Sequence, residues 1–113
     1  MKQMDEITTI EELLDIITEY REQNQLDKQD NIFELIKAIN VEAGELLELI
    51  TFSAEFEDKL YKTLIKQELA NVLIYTLALA EYMCLDIEDL IRQKIEYNIQ
   101  RNRKIVKIFS YYE

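Results

Sequence analysis

The chain of 113 residues carries a formal net charge of −10 and contains no histidine, no proline, one glycine and one cysteine. This length allows one domain, spanning residues 1–113, with one hydrophobic core. So few turn-forming residues favour helices over a sheet. The negative charge argues against nonspecific binding to DNA or RNA. The absence of histidine excludes serine–histidine triads, cysteine–histidine dyads, di-iron sites with Glu-x-x-His and the usual zinc sites.

Location in the cell is also reflected in the sequence. The chain contains no stretch of about 18 uncharged apolar residues, so we expect no membrane span. The first six residues lack the pattern of a signal peptide. The single Cys84 cannot form an internal disulfide, and we expect it to be a small buried side chain on a helix. These features predict a cytoplasmic protein with no membrane partner.

Four helices follow from the apolar periodicity and the capping residues. The first begins at Thr9 and fades in the polar stretch 21–30, and the second begins at Asn31 and runs to about Phe52. The third spans about 59–83, and the fourth runs from Ile87 to about residue 104 behind the N-cap Asp86. For the tail, residues 104–113, we expect either packing on a neighbour or a short strand.

The third helix is nearly all apolar from residue 70 to residue 80. A helix that is apolar all round is buried on most sides, which a 113-residue monomer can hardly achieve. We therefore expect a dimer or larger assembly with this helix at its centre. Asn71, Tyr75 and Thr76 are then polar groups in a buried setting, and they need partners.

Two polar pairs interrupt the apolar pattern of the second and third helices. Glu42 and Glu45 form the first pair, and Glu68 and Asn71 form the second. Residues three apart share one helix face, so the pairs can face each other across antiparallel helices and offer a hard-oxygen site for Mg²⁺ or Mn²⁺. The alternative is that the glutamates form a solvated helix face. Gly44, inside the first pair, is either a tolerated substitution by drift or a sign that a helix or ligand approaches too closely for a Cβ, and we favour the second interpretation.

Four segments carry a resemblance to a known family. They are Val41-Glu-Ala-Gly-Glu-Leu-Leu, Gln67-Glu-Leu-Ala-Asn-Val-Leu-Ile-Tyr, Leu85-Asp-Ile-Glu-Asp-Leu and Lys94-Ile-Glu-Tyr-Asn. Over residues 31–103 the chain resembles the MazG-like all-α nucleoside triphosphate pyrophosphohydrolases, and it is similar to their single-domain members of the deoxycytidine triphosphate pyrophosphatase type. The resemblance implies an all-α, four-helix bundle-like protomer that assembles as a homodimer or homotetramer.

The resemblance also implies an activity. The family uses Mg²⁺, for which Mn²⁺ can substitute, to cleave a nucleoside triphosphate into the monophosphate and pyrophosphate, a reaction suited to house-cleaning of the nucleotide pool. Three matching carboxylates would be catalytic, and with the amide they would bind the metal: Glu42, Glu45, Glu68 and Asn71. Other positions match substrate contacts of relatives: Phe52, Tyr75, Lys94, Asn98 and Arg101.

The chain departs from the family pattern at three places. Asn71 replaces an aspartate, which removes one negative charge from the site; no tryptophan is present to frame the base; and Arg101-Asn102-Arg103 replaces Lys-Tyr-Pro. Two alternatives to an active enzyme therefore stay open. One is a weakened family member that binds nucleotide or metal or acts through protein association, and the other is an acidic helical bundle that acts by association alone.

Overall fold

The computed structural model describes residues 7–51 and 59–110, and their side chains over 7–51 and 60–104. It contains four helices, which are α1 (Ile10–Gln23), α2 (Ile32–Thr51), α3 (Lys59–Tyr82) and α4 (Ile87–Ser110). The described part of the chain contains no strand. The predicted all-α fold class is therefore confirmed.

Side-chain caps fix the starts of three helices at the positions that the sequence predicts. The side chains of Thr9, Asn31 and Asp86 each accept a hydrogen bond from the backbone N–H three residues later, at 3.1, 2.8 and 2.9 Å. Each bond satisfies one of the N–H groups that the first turn of a helix leaves without a partner. These caps explain why α1, α2 and α4 begin where they do.

The ends of α1 and α3 are fixed by left-handed residues, Gln25 (φ 58°) and Cys84 (φ 55°). In both turns the left-handed residue donates its N–H to the carbonyl three residues earlier (3.1 and 3.0 Å), and the next N–H reaches five residues back (2.8 and 2.9 Å). This is the Schellman pattern. The prediction of a buried helical Cys84 is wrong, because α3 ends at Tyr82 and the thiol lies exposed in the following turn.

Arg21 ties the end of α1 to the connection that leads into α2. Its guanidinium donates to both carboxylate oxygens of Asp30 (2.7 and 2.9 Å) and to the carbonyl of Leu26 (3.2 Å). It also lies 5.8 Å from the ring centroid of Tyr75 on α3. The Arg21 side chain is only 8% exposed. Through these contacts it connects α1, the α1–α2 connection and α3.

The tightest packing lies between α2 and α3, which run antiparallel, with α1 packed on α3. Leu35 of α2 and Ala78 and Ala80 of α3 are buried. In contrast, α4 contacts the other helices only sparsely and is bent 102° away from α3. The radius of gyration is 18.6 Å, whereas a compact domain of this length has roughly 13 Å.

The fourth helix is longer than the sequence pattern predicts. It continues to Ser110, so the expectation of a short strand after residue 104 is wrong, and residues 111–113 lie outside the description. Because this segment contains no glycine or proline, nothing in it interrupts the helix. Within the described ranges no helix alone is long and apolar enough to cross a membrane, and α3 with α4 meets that test only as a bent pair.

Candidate metal centre

Three carboxylates from two helices meet between α2 and α3. One oxygen from each of Glu42, Glu45 and Glu68 lies within 4.8 Å of the others. The first two share a face of α2 because they are three residues apart, and antiparallel packing brings Glu68 of α3 opposite them. Glu42 and Glu68 are half-buried and Glu45 is exposed, so the cluster opens to solvent on one side.

Asn71 completes the second polar pair. It lies on the face of α3 that carries Glu68, and its Nδ2 donates to Oε2 of Glu42 at 3.4 Å. The two pairs therefore face each other across α2 and α3, as their spacing predicts. Thr76, another polar residue of this helix, donates its hydroxyl to the carbonyl of Val72 at 2.6 Å.

The close approach of these carboxyl groups changes the acidity of one of them. The pKa of Glu68 is raised to about 7, first because its carboxyl forms a hydrogen bond with that of Glu42. Burial and the charge of Glu45 act in the same direction. A carboxylate beside like charges is stabilised either by a proton or by a cation, so the raised pKa of Glu68 indicates a cluster that can accept either one near neutral pH.

The donor set fits a hard divalent cation. Oε2 of Glu68 is enclosed and has no hydrogen-bond partner among the described residues. The converging groups are carboxylates, with an amide beside them, and Mg²⁺ and Mn²⁺ prefer such oxygen ligands. A cation held by the three glutamates would satisfy the enclosed oxygen and relieve the repulsion between the charges.

Tyr75 connects this cluster to a surface cavity. The ring is half-buried and lines a cavity of about 220 Å³ together with Glu42 and Lys37. Sequence reasoning missed Lys37, because it lies five residues before Glu42 and this spacing does not place the two on one helix face. The cavity therefore combines a carboxylate of the cluster, an aromatic side chain and a cation.

The residues of α4 that match substrate contacts lie elsewhere. Within the described residues no hydrogen bond or ion pair joins Lys94, Asn98 or Arg101 to the glutamates. The Nζ of Lys94 lies 4.4 Å from the ring centroid of Tyr97, and Oδ1 of Asn98 is enclosed without a described hydrogen-bond partner. Arg101 is exposed.

The geometry of α3 and α4 keeps Lys94, Asn98 and Arg101 away from the glutamate cluster of the same chain. Asn71 lies 11 residues before the end of α3, and Lys94 lies 7 residues after the start of α4. At ~1.5 Å per residue and a bend of 102°, the two backbones are roughly 20 Å apart. That separation exceeds the reach of a lysine side chain.

Two further expectations concern α2. Phe52, which matches a stacking position in relatives, lies outside the described residues. A Cβ placed on Gly44 would meet nothing within 4 Å, so no part of the described chain requires glycine there. The expectation of a closely approaching helix at Gly44 is therefore wrong for the described chain, whereas the expectation of a closely approaching ligand stays a prediction.

Comparisons with known proteins agree with this architecture. Residues 37–107 match the model of the MazG-like family. A pyrophosphatase from Archaeoglobus fulgidus is 28% identical and has a similar structure, with a TM-score of 0.72 over 88% of this chain and 97% of the other. The comparison with functionally curated proteins finds no match. Because the family match covers more than half of the chain, the protein belongs to the MazG-like family.

Proposed function

We propose that this protein is a nucleotide pyrophosphatase that depends on a divalent cation. Its substrate would be a nucleoside triphosphate, cleaved between the α and β phosphates to give the monophosphate and pyrophosphate. Family membership and the similarity to the Archaeoglobus pyrophosphatase support hydrolysis of a nucleotide anhydride. The observation that carries the proposal is the meeting of Glu42, Glu45 and Glu68 within 4.8 Å.

The negative charges of the site and the substrate make a cation necessary. The chain has a net charge of −10, and a triphosphate brings further negative charge to a site with three carboxylates. A bound Mg²⁺ or Mn²⁺ would neutralise phosphate charge and increase the acidity of a coordinated water. Glu42, Glu45 and Glu68 would hold the cation, and the side-chain oxygen of Asn71 would be a fourth ligand after rotation of its amide.

Other residues of the chain would bind and orient the nucleotide. Tyr75 offers an aromatic face beside Glu42, and Lys37 places a positive charge at the same cavity. Lys94 and Arg101 would add positive charge at the phosphates. We propose Asn98 as a further nucleotide contact, because its enclosed Oδ1 has no described hydrogen-bond partner.

A second function is supported by one specific contact. Asn71 donates a hydrogen bond to Glu42 where the family pattern has an aspartate, so the site has one negative charge fewer for holding a cation. A protein of this kind could bind a nucleotide with its cation and not hydrolyse it. Stabilisation by nucleotide and Mg²⁺ without release of pyrophosphate would identify that function.

Pyrophosphate release from a panel of canonical and modified triphosphates, with Mg²⁺ or Mn²⁺, tests the proposed activity. We expect cation-dependent turnover that Glu45→Gln reduces by at least about 100-fold, because the substitution removes a ligand charge. The matched control is Glu19→Gln on α1, whose exposed carboxylate accepts a hydrogen bond from the nearby Gln23. Unchanged turnover in Glu45→Gln would exclude the cluster as the active site.

A further inference from the structure

Arg21 is the one charged side chain that is buried within the described part of the chain. Its guanidinium donates hydrogen bonds to both carboxylate oxygens of Asp30, at 2.7 and 2.9 Å, and to the carbonyl of Leu26, at 3.2 Å. Burial of a charge is costly, and apolar side chains of similar volume are often as stable as a buried ion pair. Stability of the fold therefore does not require an arginine at this position, and its contacts point to a further role.

Two surface cavities meet at the ring of Tyr75, which lines both of them together with Glu34 and Ala38. The first cavity has a volume of about 150 Å³ and contains Arg21 in its lining. The second has a volume of about 220 Å³ and contains Glu42 of the carboxylate cluster. The ring of Tyr75 therefore lies between the guanidinium and the cluster.

Arg21 restricts the conformation of Tyr75. The guanidinium carbon lies over the ring at 5.8 Å from its centroid, a distance at which the aromatic face attracts a cation. The Tyr75 side chain is half-buried, so without this contact the ring would be free to occupy other rotamers. A ring that is already held in one orientation binds a ligand more tightly, because less side-chain freedom is lost on binding.

The guanidinium is itself held by the connection between α1 and α2. Asp30 and Leu26 accept its three hydrogen bonds, and both residues line the same cavity as Arg21. The guanidinium is planar, with its donors in a rigid fork, so it cannot turn away from Tyr75 without breaking these bonds. The α1–α2 connection thereby fixes the cation over the ring.

We propose that Arg21 is a positioning residue of the nucleotide site, which holds the ring of Tyr75 in the orientation that binds the nucleotide. It acts through the ring and does not touch the substrate. None of its described hydrogen bonds reaches the glutamates, so it affects binding and leaves the metal-dependent step unchanged. The inference rests on the proposed function, because it requires that a nucleotide binds beside Tyr75.

Steady-state kinetics of Arg21→Met tests the proposal. Methionine keeps much of the apolar contact of the arginine stem and removes its charge and its hydrogen bonds. We expect KM to rise at least about 10-fold and kcat to change less than about 2-fold, because the ring binds substrate and transition state alike. The matched control is Arg92→Met, which removes an arginine from an exposed ion pair with Glu88 and should change neither constant. An unchanged KM, or a fall in kcat as large as the rise in KM, overturns the proposal.

A double-mutant cycle with Tyr75→Leu separates positioning of the ring from a general loss of structure. If Arg21 acts through the ring, Arg21→Met should raise KM by less than about 2-fold once the ring is absent. A purely structural ion pair would instead raise KM equally in both backgrounds, and that result overturns the proposal. If Arg21→Met does not fold, Asp30→Asn replaces it in the cycle, because it keeps the shape of the anchoring side chain and removes its charge.

Direct binding distinguishes failure of this inference from failure of the proposed hydrolysis. Calorimetry with Mg²⁺ and a triphosphate analogue that has a methylene bridge between the α and β phosphates measures a dissociation constant without turnover. If the wild type binds the analogue and releases no pyrophosphate from triphosphates, the proposed hydrolysis is wrong, and the same cycle judges Arg21 by dissociation constants in place of KM. A wild type that neither binds nor hydrolyses any nucleotide of the panel overturns both proposals.

Discussion

The amide nitrogen of Asn71 lies 3.4 Å from Oε2 of Glu42, so the side chain that departs from the family pattern faces the carboxylate cluster. The amide donates a hydrogen bond where an aspartate would place a fourth negative charge. The contact therefore stabilises the cluster without a cation, and it lowers the electrostatic attraction that the cluster exerts on one. These two effects can be separated by substitution.

We expect Asn71→Asp to lower the stability of the metal-free protein and to increase the stabilisation by Mg²⁺. The free energy of unfolding without metal should fall by on the order of 1 kcal/mol, because a half-exposed carboxylate is added beside Glu42 and Glu68. The added charge should also tighten cation binding and raise turnover at low Mg²⁺. Thermal unfolding with and without Mg²⁺ measures the first two effects.

Asn40→Asp is the matched control for this substitution. Asn40 is exposed on α2, so the same change of charge should leave the response to Mg²⁺ as in the wild type. If Asn71→Asp alters neither the stability without metal nor the response to Mg²⁺, residue 71 does not contribute to a cation site. The three glutamates would then have to bind the cation without it.

The raised pKa of Glu68 predicts how stability without metal depends on pH. In the unfolded chain this carboxyl titrates near the ordinary glutamate pKa of 4.5, whereas in the folded protein its pKa is raised to about 7. Between these values the folded state binds the proton more tightly, so this group contributes stability at low pH that is lost as pH rises through 7. Urea unfolding in EDTA from pH 5 to pH 8 should show this decrease.

The same linkage reverses when a cation is present. At the proposed site a divalent ion would bind the deprotonated cluster, so the stabilisation by Mg²⁺ should grow as pH rises from 5 to 8. Glu68→Gln removes the titrating group and should flatten the decrease measured in EDTA relative to the wild type. An equal decrease in that variant would show that another group is responsible.

The helix starts and the polar pairs were predictable because their signals are local. The caps are local because the side chains of Thr9, Asn31 and Asp86 each accept a hydrogen bond from the N–H three residues later. The polar pairs are local because residues three apart share a helix face. The antiparallel arrangement that brings Glu45 opposite Glu68 needed only two consecutive helices joined by a short connection. These parts of the fold and of the candidate site follow from periodicity and spacing.

Other features depend on contacts that no local pattern reveals. The Schellman turns use Gln25 and Cys84, whereas glycine is the usual residue there and the single glycine of the chain lies inside α2. The pairing of Arg21 with Asp30 spans the α1–α2 connection, and its stacking on Tyr75 requires the packing of α1 on α3. The direction of α4 likewise follows from its turn and not from its periodicity.

The left-handed Cys84 predicts a stabilising substitution. Its φ of 55° strains a side chain with a Cβ, whereas glycine adopts this conformation freely. We expect Cys84→Gly to raise the free energy of unfolding by about 0.5–1 kcal/mol. This net value allows for the greater flexibility of glycine in the unfolded chain, which offsets part of the gain. Chemical denaturation measures it, and Cys84→Ala, which keeps a Cβ, should show no gain. A gain in both variants would attribute the effect to loss of the thiol.

The separation of α4 from the glutamates makes a further prediction about the active site, which rests on the proposed hydrolysis and on the homodimer that the family resemblance implies. Lys94 and the glutamates of its own chain lie roughly 20 Å apart along the helix axes. If Lys94 and Arg101 act on the substrate at this cluster, we therefore expect a second copy of the chain to supply them. Each active site would then combine glutamates of one chain with cations of the other.

Mixing two inactive variants tests this arrangement. Glu45→Gln damages the cluster and leaves α4 intact, whereas the double variant Lys94→Ala/Arg101→Ala leaves the cluster intact. After subunit exchange, each mixed dimer should contain one complete site, and an equal mixture should recover about a quarter of wild-type activity. Sites built from one chain would recover none, because each chain of the mixed dimer carries a defect. Each variant mixed with itself is the control, and an active double variant would remove Lys94 and Arg101 from the proposed site.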